Sequence, residues 1–314
     1  MRVCEYIYCR ARFGDGEAAC PRCGFPRDSA QLRDPAFLAA TPVEGLPPAL
    51  LDMHQILPAV DGVEEMQLAA MAHFGIERAL LQSVPPQATS LLGNDEILEL
   101  VRRRGERFWA SQFADPRMPH GPEALERIAA AGARVVKLLP PAGFSPDEAA
   151  FDPFWATMER LGLVAMAHTG FITARHKKEE ARAGAFLSSR FANPLRWDQP
   201  ARKFPRLTII LCHAGGALWY EEAAQMVTQH DNVWGDLSGF GLFALQRLLR
   251  LGAAVDWSKL FWGNDSPPFA YPMNLRLHLQ ALREAGAEDL APLLLHDNAR
   301  AFGQRFLDSG PPAG

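Results

Sequence analysis

From residue 49 onward, short apolar runs rich in β-branched and aromatic residues alternate with longer stretches whose apolar positions recur at helical spacing. Eight such runs occur: ALLDMH (49–54), RALLQSV (78–84), RFWASQF (107–113), ARVVKLL (133–139), LVAMAH (163–168), LTIILCH (207–213), NVWGDLS (232–238) and KLFWGND (259–265). Between them, VEEMQLAAMAHFG, NDEILELVRRRG, PEALERIAAAG and DPFWATMERLG read as amphipathic helices, several closed by a glycine suited to a helix C-cap. Strands alternating with helices imply a parallel sheet clothed by helices, and eight units are the number that closes a barrel. An open doubly wound sheet is the alternative, but no strand is followed by a G-x-G-x-x-G turn. The expected fold is therefore α/β, a (β/α)8 TIM barrel over residues 49–309 with a short tail, 310–314.

Two segments depart from the repeat. Residues 169–206 are too long for an ordinary connection and contain RHKKEEAR and NPLRWDQP, as expected of a loop shaping the rim of a site. Residues 28–48 carry no sustained period and end in Pro47-Pro48, so they read as a linker or wrapping arm. Ahead of them, residues 1–27 hold Cys4, Cys9, Cys20 and Cys23, spaced C-x4-C-x10-C-x2-C. Four thiolates complete a tetrahedral shell and leave no open position, so a zinc ion there would be structural, and so small a module would draw most of its folding free energy from it. Iron suits the same ligands. The CPRCG knuckle resembles those of zinc ribbons and rubredoxins, although the x4 gap is longer than usual.

Composition narrows the function classes. A chain of 314 residues with 48% hydrophobic and 22% charged residues and a net charge of -4 is globular, and offers no broad attraction for nucleic acid or anionic membranes. No run approaches the roughly 18 apolar residues of a spanning helix, and the N-terminus lacks the order of a signal peptide. A cytoplasmic protein acting on a small molecule is expected. Five cysteines are too few for a disulfide scaffold in a chain of this size.

Polar residues at strand C-terminal ends carry the chemistry in a barrel. Here His54, Lys137, His168, His213 and Asp265 occupy such places, and neutral imidazoles with a carboxylate are ligands for zinc, manganese or iron. Each histidine alone is equally well a hydrogen-bonded strand end; together they suggest one mouth. His73, His120, His230, His278 and His296 read as surface or packing residues, while His176 on the long loop stays open. By strand alternation Cys212 should point away from the mouth. Asp236 is suited either to orient a ligating histidine or to cap the next helix.

The motifs LLDMH, VVKLLPP, AMAHTG, ILCHAGG, FWGNDSPP and NARAFG, in that order over about residues 50–305, resemble the amidohydrolase superfamily. The likeness is to its branch of small-carboxylate decarboxylases and hydrolases, of which aminocarboxymuconate semialdehyde decarboxylase is one. The resemblance implies a first-strand D-x-H-x-H; here its positions hold Asp52, His54 and Ile56, so the second histidine is missing, and all three should face inward. It implies His54, His168 and Asp265 as metal ligands, with zinc expected first and manganese or iron as alternatives. His213 would be the acid/base, and Asp265 a ligand or proton-transfer group. Lys137, Arg175, His176 and Arg190 are candidates to meet a substrate carboxylate.

The function implied is hydrolysis of a small carboxylated or cyclic amide or lactone substrate through a metal-activated water. Decarboxylation of a small unsaturated or aromatic acid on the same site is the alternative, and a degenerate, purely binding barrel the second. The cysteine module is equally suited to dock on the barrel rim or against a second copy of the chain in a homodimer.

Overall fold

The computed structural model describes residues 2–14, 16–33, 36–39, 41–85, 90–172 and 187–308. A small antiparallel hairpin, β1 (Arg2–Val3) with β2 (Arg12–Phe13), precedes eight parallel strands. These are β3 (Leu50–Gln55), β4 (Ile76–Gln82), β5 (Phe108–Phe113), β6 (Val135–Leu138), β7 (Val164–His168), β8 (Ile209–Cys212), β9 (Val233–Asp236) and β10 (Leu260–Phe261). Each pairs with its sequence neighbours. The seam between β3 and β10 is joined by single backbone bonds: Met53 N–H donates to the Trp262 carbonyl at 3.1 Å and Asp265 N–H to that of His54 at 2.6 Å. This is the expected (β/α)8 barrel, each strand falling within its predicted run or, for β3 and β4, overrunning one end of it by a residue or two.

Alternation divides the strands into two apolar faces. Leu51, Met53, Leu80, Trp109, Val135, Val164, Met166, Ile210, Cys212 and Phe261 form the inner cluster, whereas Ala79, Leu81, Phe108, Val136, Ala165, Ile209 and Leu211 pack beneath the helices. Phe302, on the helical turn Asn298–Phe302, closes the N-terminal end of the barrel, with its ring 5.0 Å from Trp234 and 5.4 Å from Phe261. A side chain at Gly303 would meet Trp109 at 2.9 Å, so the glycine permits this approach. With that end filled, only the C-terminal mouth is left for a ligand. Helices Val63–Phe74 and Asp152–Leu161 end on Gly75 (φ 69°) and Gly162 (φ 63°), the left-handed caps the sequence suggested.

One expectation about the first strand fails. Leu51 and Met53 take the interior, so Asp52 between them turns outward, and the β3–β4 register then slips between Asp52 and Gln55. Asp52 accepts hydrogen bonds from the Tyr271 hydroxyl (2.6 Å) and from the backbone N–H groups of His54 (2.9 Å) and Asn264 (3.0 Å). The irregularity breaks strict alternation and lets His54 reach the mouth without Asp52 beside it.

The four cysteines close on one another at the N-terminus. All four Sγ atoms lie within 4.8 Å, with Cys4–Cys23 and Cys9–Cys20 both 3.7 Å apart, and none forms a disulfide. Four sulfurs about 2.3 Å from a zinc ion stand about 3.8 Å apart at tetrahedral corners, so the cage has the right size. The protons are shared unevenly: a hydrogen bond from Cys23 holds the Cys9 thiol down to about 5, while burial pushes Cys4 up to about 12. Tyr6, Tyr8, Phe13 and the cysteines belong to the same apolar cluster as the barrel's outer layer, and Phe37 and Leu38 of the connecting segment join it. The Arg276 guanidinium donates to the Pro42 carbonyl at 2.6 Å, tying that segment down. Of the two docking modes compatible with the sequence, the module thus adopts the one against its own barrel. Among the described residues no helix is long and apolar enough to cross a membrane.

Candidate metal centre

The C-terminal strand ends place His54, Lys137, His168, Cys212, His213, Asp236 and Asp265 around one mouth. His54 is 2% exposed and its Nδ1–H donates to Asp236 Oδ2 at 2.9 Å, which leaves the Nε2 lone pair facing inward. That lone pair accepts from Lys137 Nζ at 3.2 Å and lies 3.5 Å from Asp265 Oδ1. Gly263 allows the crossing of the two chain segments there, since a Cβ on it would stand 2.5 Å from the Cβ of His54.

Asp236 is a fully buried anion with four donors. Besides His54 it accepts the backbone N–H groups of His213 (3.1 Å) and Ser238 (2.9 Å) and the Ser238 hydroxyl. Although burial alone would raise its pKa, the neighbouring His54 and His213 rings and these bonds hold it well below the usual carboxylate range. Of the two roles its place in the sequence suggested, orienting a histidine and capping a helix, the first is the one its contacts express.

His213 lies beyond the end of β8 with a left-handed backbone (φ 63°), followed by Ala214 (φ 42°) and Gly215 (φ 74°). The twist aims its ring at the mouth although Cys212, one residue earlier, already faces inward. Cys212 was expected to point away; instead its Sγ accepts from Lys137 Nζ at 3.2 Å, and burial pushes its thiol pKa up. His213 Nδ1–H donates to the Ser238 carbonyl at 3.0 Å, so its Nε2 accepts from His168 Nδ1–H at 3.2 Å. His168 Nε2 is then a bare lone pair, buried and without a hydrogen-bond partner. Burial foremost depresses the pKa of both imidazoles, strongly for His168, and keeps them in the neutral, ligating form.

Asp265 also adopts a left-handed backbone (φ 44°), and at 23% exposure its carboxylate is open to the mouth while the imidazoles are buried. Two strained residues side by side at one mouth are typical of a working site. Among the described residues, donor atoms of His54, His213 and Asp265 lie within 4.8 Å of one another, as do those of His54, Cys212 and Asp236. His168 is not in either trio but stands one hydrogen bond away, on His213. These imidazoles and carboxylates suit a divalent ion, and the bare nitrogen of His168 lacks only such a partner.

The chain matches the amidohydrolase family over residues 43–302, a span that takes in every barrel residue named above apart from Gly303. It belongs to the amidohydrolase family. No curated protein matches this amidohydrolase. Solved structures share its fold: an uncharacterized TIM-barrel protein from Bordetella bronchiseptica is 16% identical, covering 82% of this chain and 99% of its own, with a TM-score of 0.62. For 2,6-dihydroxybenzoate decarboxylase from Rhizobium the figures are 15%, 82%, 99% and 0.57. A probable 2-pyrone-4,6-dicarboxylic acid hydrolase from Acinetobacter baumannii, solved with citric acid, gives 14%, 80%, 98% and 0.53.

Arg175 and His176 fall outside the described residues. Arg190 packs its guanidinium 4.4 Å over the Phe191 ring, in a rim cleft with Ser145 and Arg196 that includes none of the site histidines. Sequence reasoning missed Ser238, whose hydroxyl binds Asp236 at the mouth, and Tyr6 and Tyr8, whose side chains pack on the barrel against Asn274 and Phe240. Ser238 was legible as a polar residue at a strand end; the tyrosines were not, because they arrive from a separate module.

Proposed function

We propose that the barrel is a metal-dependent hydrolase of a small carboxylated or cyclic amide or lactone substrate, with His54, His168 and Asp265 holding the ion. The observation that carries this is the direction of the hydrogen bonds: Asp236 leaves the His54 Nε2 lone pair facing inward, 3.5 Å from the Asp265 carboxylate, and the His213–Ser238 chain leaves the His168 Nε2 lone pair bare. A bound divalent ion supplies Lewis acidity toward a carbonyl and its attacking water. His213, linked to Ser238 behind and His168 ahead, is placed to move the proton, with Asp265 as its near neighbour at 3.8 Å. The Lys137 ammonium, drawn to His54 and Cys212, is the cation positioned to receive a substrate carboxylate once an ion takes the His54 nitrogen. The four thiolates of the N-terminal cage would hold a structural zinc ion.

Decarboxylation of a small aromatic acid is the second reading, supported by the shared fold with decarboxylases, one of which, from Novosphingobium aromaticivorans, was solved with manganese. On that route His213 delivers a proton to carbon. Elemental analysis and product assays test both. Metal beyond one equivalent per chain should vanish in His168→Ala with Asp265→Ala while the cysteine-bound ion stays. Metal retained by His168→Ala but lost in His213→Ala would instead assign the third ligand to His213. Acid release from lactones and amides, against carbon dioxide release from hydroxybenzoates, separates hydrolase from lyase.

A further inference from the structure

Between Cys4 and Cys9 the first knuckle carries Tyr6 and Tyr8, and both side chains leave the module for the barrel. Tyr8 stacks edge-on against Phe240, 5.4 Å between centroids, and against Tyr6 at 5.5 Å. A Cβ placed on Gly239 would press into Asp265 Oδ2 and lie 3.3 Å from the Tyr8 hydroxyl oxygen, so these two oxygens crowd the same spot. Tyr6 is seated deeper: its hydroxyl donates to Asn274 Oδ1, and burial foremost, with a smaller contribution from the Asp265 charge, raises its pKa.

From Asn274 a buried polar chain continues to the site. Asn274 Nδ2 donates to the Asn264 side chain (2.7 Å), and Asn264 Nδ2 to Gln55 Oε1 (2.9 Å). Gln55 Nε2 donates to Gln67 (2.9 Å), and Gln67 Nε2 to the Tyr271 hydroxyl (2.9 Å). Tyr271 donates to Asp52, which receives the backbone N–H groups of His54 and Asn264. The module is therefore bonded to the residues that set the positions of His54 and Asp265. A fully satisfied buried network of this kind holds its members to one arrangement.

We propose that the four-cysteine module is a wall of the barrel's site: Tyr6 anchors it in the network beneath His54 and Asp265, and Tyr8 is a substrate-positioning residue whose hydroxyl donates to a carboxylate or carbonyl oxygen bound before Asp265. The second half rests on the reading of this mouth as the substrate site; the first does not. Loss of the cysteine-bound ion would then open the mouth, making the barrel's chemistry dependent on a metal that takes no part in it.

Two measurements on the full chain test this. In protein dialysed against a carboxylate chelator to free the barrel histidines, diethyl pyrocarbonate labelling is followed site by site by mass spectrometry. In the variant Cys20→Ser with Cys23→Ser, and in Tyr8→Ala, which keeps all four thiolates, His213 should label at least about tenfold faster than in the parent. His230, bonded to Asp198 away from the mouth, should not change, which shows that the barrel is folded. Unchanged labelling of His213 in Tyr8→Ala overturns the wall. For the second half, Tyr8→Phe should weaken binding of 2-hydroxybenzoate, measured by calorimetry on the metal-loaded protein, about tenfold, the effect of one hydrogen bond to a charged group. Its metal content should match the parent's. An unchanged Kd removes Tyr8 from the substrate's path. If the parent itself binds no 2-hydroxybenzoate, the carboxylate reading of the site and of Tyr8 fails, while the labelling still decides the wall.

Discussion

Replacing Asp236 with Asn removes one negative charge from a wholly buried position and reverses one hydrogen bond. The remaining amide oxygen can keep the backbone N–H groups of His213 and Ser238 and the Ser238 hydroxyl, which all converge on Oδ1. The new NH2 then faces His54 Nδ1–H, donor against donor, where 2.9 Å separated donor from acceptor. His54 relieves this by moving its proton to Nε2, and the lone pair intended for the ion is lost. Outer partners of this kind are worth about 10- to 100-fold in metal affinity. With charge-assisted bonds at about 1.5–3 kcal/mol each, the variant should also be about 2–3 kcal/mol less stable at neutral pH.

The pH dependence has a definite sign. Because the folded-state pKa of Asp236 is depressed, its contribution is present above the unfolded value near 4 and fades as pH falls toward the lower folded value. The stability gap between parent and variant should accordingly be flat from pH 7 to about 5 and shrink in more acid solution. Urea unfolding in chelator across this range, with metal titration at pH 7, reads both quantities. A folded variant that binds the barrel metal within twofold of the parent would refute the tautomer argument.

Asp52 behaves in the opposite sense, since burial raises its pKa to about 6: between about pH 4 and 6 the folded state holds the extra proton and stability falls as pH rises, by about 3 kcal/mol in all. Asp52→Asn should gain that amount relative to the parent between pH 4 and 7 in urea midpoints, and a constant difference would count against it. Gly263→Ala drives a methyl into the His54 backbone, 2.8 Å from its nitrogen; barrel metal should be lost in elemental analysis while the cysteine site stays filled. Phe302→Ala empties the far end of the barrel and should cost about 3–5 kcal/mol in unfolding experiments with metal content unchanged.

Periodicity and strand-end chemistry were readable without coordinates. Eight apolar runs became eight strands because a barrel strand is buried on both faces, and that demand is written into every residue of the run. His54, Lys137, His168, His213 and Asp265 were visible for the same reason, as the polar interruptions at the runs' ends. Cys4, Cys9, Cys20 and Cys23 announced their cage through spacing alone, since short knuckles bring such residues together locally. What alternation could not foresee were the places where the backbone abandons it. The slip in β3 lets His54 reach the mouth although Met53 beside it already faces inward, and the left-handed turn at His213 lets Cys212 and His213 share one mouth. Nor could order along the chain reveal that Tyr6 and Tyr8 return over Asp265, nearly 260 residues later. Local pattern encodes which face of an element is buried; only the packing of distant elements decides which polar atoms meet and which lone pairs stay bare.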